Sequence, residues 1–110
     1  GNAFRELGRF EEALELQRPV LADALERMPD QAGILAEFRL GLGETELAAG
    51  NAGTASDLLH QALQYLEAER GAEHYRTLAA AGALIRARRQ LGQHELADEL
   101  ARRYPRTQLQ

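Results

Sequence analysis

The sequence predicts an all-α chain of about six helices, packed as successive antiparallel pairs. Three observations carry that prediction. Strong helix formers (Ala, Leu, Glu, Arg, Gln) dominate the 110 residues, while β-branched and aromatic residues are scarce. Apolar residues recur at helical spacing in nearly every stretch. Glycines at Gly8, Gly50 and Gly92 are 42 residues apart, and the alanines five positions on, Ala13, Ala55 and Ala97, keep that interval. A fixed period of this size is the mark of a repeat architecture.

The elements follow in order. Gly1–Leu7 reads as the last two turns of a helix that corners at Gly8. Glu11–Met28 reads as the second helix, with Ala13, Leu14, Leu21, Ala24, Leu25 and Met28 on its apolar face. Pro19 lacks an N–H and crowds the Glu15 carbonyl, which predicts a kink, or a break and restart. Pro29 and Asp30 end the element. Gln31–Ala49 is the third helix, with Ile34, Leu35, Phe38, Leu42 and Leu47 on its apolar side. Gly41 and Gly43 each cost about 1 kcal/mol relative to Ala inside a helix, so close helix contact is the expected reason for them.

The corner at Gly50 offers Asn51 as an N-cap for a fourth helix over Thr54–Arg70. Its Ala55, Leu58, Leu59, Ala62, Leu63 and Leu66 form a continuous buried stripe. A fifth helix spans Glu73–Leu91 and a sixth Gln93–Tyr104, stopped by Pro105. The tail after Pro105 is expected to fray.

At the repeated corners the residues resemble the tetratricopeptide repeat family. Gly8, Phe10, Ala13 and Val20 match the helix-A-to-helix-B half of one unit. Gly43, Gly50, Ala55 and Ala62 match the small-residue positions of a second, and Gly92, Ala97 and Tyr104 those of a third, in which Ile85 stands where a small residue is usual. The 42-residue spacing is similar to the long-helix subclass typified by kinesin light chains and widespread in bacterial regulatory proteins. The resemblance implies a right-handed superhelical α-solenoid. Its partial first repeat would be residues 1–29, its second 30–71 and its third 72–105, with a tail at 106–110. The incomplete first unit reads as a piece of a longer protein.

Composition narrows the function. No cysteine is present, so disulfides and thiolate metal sites are excluded. The net charge is −4, acidic toward the N-terminus and more basic toward the C-terminus, with arginine as the sole strong base. An acidic chain without basic tracts is a poor nucleic-acid binder. No apolar run reaches the length of a membrane span, and a cytoplasmic location is the expectation. "GLGETE" at 41–46 lacks the third glycine and the preceding strand of a dinucleotide fingerprint. His60, His74 and His94 lie on different elements without ligand spacing. Neither an enzyme, a cofactor nor a metal site is therefore expected.

The resemblance implies instead a concave face, lined by the first helix of each unit, that receives a peptide or a partner helix. Matching positions at the 42-residue interval gives two rows: Asn2, Glu44 and Arg86, then Arg5, Leu47 and Arg89. Glu37 and Leu40 stand a turn or two earlier. The asparagine with which peptide-binding relatives grip a ligand backbone corresponds to Gly41 and Ala83. Arg86 and Arg89 would grip an acidic residue or terminal carboxylate of a protein partner, with Leu40 and Leu47 as apolar contacts. The expected role is a protein–protein interaction module of a larger bacterial regulatory or signalling protein. The alternatives are a self-association scaffold, dimerising through the open N-terminal edge, and a small-ligand sensor.

Overall fold

The computed structural model describes the backbone of residues 2–109 and the side chains of residues 5–107. Five α-helices follow one another: α1 (Asn2–Arg27), α2 (Ala32–Ala48), α3 (Ala52–Arg70), α4 (Tyr75–Gln90) and α5 (His94–Arg103). A 3-10 helix, Pro105–Leu109, closes the chain. No strand occurs among the described residues. Each helix packs on its neighbours in sequence, and α2 also meets α4. The molecule is a slab of 42 × 34 × 21 Å, about two helix diameters thick.

Two of the three glycine corners form as the sequence predicts, with one geometry. The backbone is left-handed at Gly50 (φ 92°) and Gly92 (φ 79°), a conformation open to glycine without steric cost. The N–H of Asn51 donates to the Glu46 carbonyl at 2.8 Å and that of Gly50 to Leu47 at 3.1 Å. Forty-two residues on, Gln93 donates to Arg88 at 2.8 Å and Gly92 to Arg89 at 3.1 Å. This double closure of a helix end is a Schellman motif. The α2–α3 and α4–α5 hairpins thus share a corner.

The third corner does not form. α1 runs unbroken from Asn2 to Arg27 through both Gly8 and Pro19, so five α-helices replace the six expected. Nothing lies within 4 Å of a Cβ placed on Gly8, and residues 5–9 are exposed. The space around Gly50 and Gly92 is equally open, so local room does not decide the corner, and continuing a helix through one glycine costs only about 1 kcal/mol. Three further expectations change. Asn51 occupies the N-cap position of α3 without a side-chain cap bond, and its side-chain NH2 donates to Glu46 at 2.8 Å. Leu25, Met28 and Ile34 are exposed, not part of the buried face. The tail is ordered as the 3-10 helix, where the Thr107 hydroxyl donates to the Tyr104 carbonyl at 2.8 Å.

Small residues govern the packing. Ala55 and Ala62 of α3 and Ala80, Ala83 and Ala87 of α4 are fully buried, which lets these helices approach closely. The larger core cluster joins Leu40 and Leu47 of α2 to α3, α4 and α5; a smaller one joins Leu14, Leu21 and Ala24 of α1 to Leu35 and Leu42 of α2. At the α2–α3 contact a Cβ on Gly43 would stand 2.8 Å from Cγ of the buried Leu59. Close contact explains Gly43, as the sequence suggested. It does not explain Gly41, whose nearest such neighbour is the Gln17 amide nitrogen at 3.9 Å.

Polar clasps hold the outer helices. Glu46 is buried and receives two hydrogen bonds from Arg18 of α1, at 2.8 and 3.1 Å. Those bonds hold the Glu46 carboxyl below the usual range against the opposing effect of burial. On the other side, Tyr104 donates to Glu67 of α3, which also meets Arg103 at 3.2 Å. Burial, then the Glu67 hydrogen bond, pushes the Tyr104 phenol up to about 12.

The two glycines of α2 separate cleanly by substitution. Gly43→Ala is expected to lower stability by about 1–3 kcal/mol through overpacking on Leu59. Gly41→Ala is expected to be neutral or to stabilise by up to about 1 kcal/mol, because alanine is the better helix former. Urea denaturation of both variants checks this; equal losses would contradict the α2–α3 geometry.

Candidate functional site: the groove between α2 and α4

Gly43 sets the depth at which α2 lies on α3, and the next residue, Glu44, faces α4 across a groove of about 320 Å³. The α4 wall is Tyr75, Leu78, Ala79 and Arg86; the 3-10 helix adds Arg106 and Thr107. α4 starts where it does because His74 caps it: the N–H of Arg76 donates to Nδ1 of His74 at 3.1 Å. His74 stacks on Tyr75 with ring centroids 4.7 Å apart, and the Arg76 guanidinium lies 5.6 Å from the Tyr75 centroid. Arg76 then reaches across to Glu37 of α2 at 3.1 Å and ties the two walls together.

The groove's charges are close without being closed on each other. No ion pair within 4.0 Å joins Glu44 and Arg86 among the described residues, although both line the groove. Burial raises the Glu44 carboxyl above its usual range, and the charges of Arg86 and Arg76 pull against that rise. Arg106 reaches Glu73 only at 3.9 Å. A carboxylate and two arginines with spare hydrogen-bonding capacity thus share one concave surface beside an exposed aromatic ring.

The eight residues singled out from the sequence divide sharply. Glu44 and Arg86 meet in the groove. Glu37 borders it through Arg76. Leu40 and Leu47 are core residues, at 2% and 8% exposure, and cannot serve as groove contacts. Their positions on α2 turn toward α3 and α4 because the helix is wedged between both. Arg89 pairs with Asp98 of α5 at 3.1 Å and lines a different cleft from Arg86. Arg5 lies exposed on α1, away from the groove, because α1 never folds back. The side chain of Asn2 lies outside the described residues. Sequence reasoning missed Tyr75, Arg106 and Thr107. Tyr75 has Gly33 as its counterpart 42 residues earlier, so the repeat gave no signal there. The proline-led turn was the signal for the other two.

His60 and His94 are exposed on α3 and α5, and His74 is engaged as a cap. No group of three or more potential ligands could hold a metal ion among the described residues, and no helix among them is long and apolar enough to cross a membrane.

Glu44 offers a direct check on the groove's electrostatics. A proton-resolved NMR titration should place its midpoint above the ordinary glutamate value of about 4.3. The folded chain then holds that proton more tightly than the unfolded chain, so this group favours folding as pH falls through the raised midpoint. Arg86→Met should move the midpoint further up, since it removes a charge that stabilises the carboxylate. A downward move would contradict the arrangement.

No protein-family model, curated protein or solved structure matches this chain.

Proposed function

We propose that the chain is a protein–protein interaction module that binds an extended segment of a partner in the α2–α4 groove. One observation carries this reading: Glu44, Arg86 and Arg106 line the same concave surface without satisfying one another. Arginine grips a carboxylate through two parallel hydrogen bonds, and the groove offers two arginines. The partner segment therefore presents an acidic residue or a terminal carboxylate, with a polar or basic group placed against Glu44. Tyr75 and Leu78 supply a contact for one aromatic or aliphatic side chain.

The shared corners of the α2–α3 and α4–α5 hairpins support a repeat array of tetratricopeptide type. In such an array, the first helices of successive units, here α2 and α4, present the binding face. A regulatory setting, where a module of this kind recruits a partner, suits the reading.

Peptide-array screening with free C-terminal carboxylates and their amidated twins tests it. Acidic and free-carboxylate peptides should be enriched. Joint Arg86→Ala and Arg106→Ala substitution should weaken the selected peptides by about 2–4 kcal/mol with the helical circular-dichroism signal unchanged. Arg89→Ala, whose partner is Asp98, should leave binding intact. Equal binding of both peptide classes, or sensitivity to Arg89 alone, would overturn the proposal.

A further inference from the structure

A second surface stands out once the 42-residue register is applied to the structure. Leu16, Gln17 and Val20 of α1 and Glu37, Phe38 and Gly41 of α2 line an apolar cleft of about 290 Å³. Leu16 is 73% exposed and Val20 49%, a costly way to display large aliphatic side chains. The residues 42 positions on are Leu58, Leu59 and Ala62 of α3 and Ala79, Ala80 and Ala83 of α4. Leu59, Ala62, Ala80 and Ala83 are completely buried there, and Leu58 is half-buried.

The structure shows what covers that second set. α2 lies on its buried part, with Leu40 and Leu47 in the same core cluster and Gly43 pressed against Leu58 and Leu59, while Ala79 stays exposed in the wall of the α2–α4 groove. The α1–α2 cleft is therefore the equivalent of a surface that elsewhere in this molecule is closed by a helix. Had α1 turned at Gly8 as the chain does at Gly50 and Gly92, its first residues would return toward the cleft. They continue straight instead. One polar feature fits the same picture: the Gln17 side-chain oxygen is buried at the cleft without a hydrogen-bond donor.

We propose that the α1–α2 cleft is a docking site for an amphipathic helix of a partner, of the same kind as α2. The helix carries a small residue at the crossing point, with leucines three positions before and four after it, as Leu40, Gly43 and Leu47 are spaced. The small residue passes over Leu16 and Gln17, where a larger one would be held off. This surface adjoins the α2–α4 groove only at Glu37, which pairs with Arg76, and does not depend on that reading.

The probe is a synthetic peptide of residues 30–50, stapled on its polar face to hold it helical and labelled for fluorescence anisotropy. Titrated with the whole chain, it should bind, and Leu16→Asp or Val20→Asp in the chain should weaken it at least about tenfold. Both residues are exposed, so the thermal unfolding of the variants should match the parent. A Gly43→Leu version of the peptide should lose binding to the same extent. Arg86→Ala with Arg106→Ala in the chain should change nothing, which separates this site from the groove. No binding at about 1 mM chain, or binding indifferent to Leu16 and Val20, would overturn the proposal. A parent dimer in sedimentation that Leu16→Asp turns into a monomer would also overturn it, by assigning the cleft to a second copy.

Discussion

The structure depends on how closely α2 can approach α3. Gly43 lets α2 lie close over Leu59 of α3, and α2 in that position also packs on α1 and α4. One helix thereby becomes the wall of everything else. Its Leu35 and Leu42 close the α1 core, its Leu40 and Leu47 close the larger one, and its polar residues are left to the seams. Glu46 faces Arg18, Glu37 faces Arg76, and Glu44 faces the open groove. Glu44 thus lines the groove one residue after the glycine that meets α3.

Burial and pairing set the two carboxylates of α2 apart. Glu46 is the more deeply buried, yet Arg18 and Asn51 hold it ionised. Glu44 is exposed and has no ion pair within reach among the described residues, so partial desolvation by the groove walls governs it and its carboxyl is raised. A buried charge with full hydrogen bonding adds little net stability but strongly fixes geometry. A charge without such partners is available to a ligand. The same helix, two residues apart, therefore carries one carboxylate tied into the packing and one without an ion pair within 4.0 Å among the described residues.

Much of the fold was legible because local signals and packing agree. Gly50 and Gly92 need left-handed backbone, and both have it. The stripe through Ala55, Leu59, Ala62 and Leu66 is buried as its spacing demands. Gly8 carries the same sequence signal, yet α1 runs through it, and a glycine alone permits a corner without requiring one. Pro19 likewise stays within a continuous helix. The site was legible only where register decides the face: Glu44 and Arg86 come together. Periodicity could not tell that Leu40 and Leu47 point to the core while Glu44 does not, since α2 has neighbours on three sides. Arg106 lies beyond the repeat, where no register applies.

Amide hydrogen exchange along α2 tests this dependence most directly. Leu40 to Leu47 are predicted to exchange only through global unfolding, with an opening free energy equal to the whole chain's stability. Exchange of these amides by local opening, while α3 and α4 remain protected, would contradict α2 as the wall on which both clefts are built.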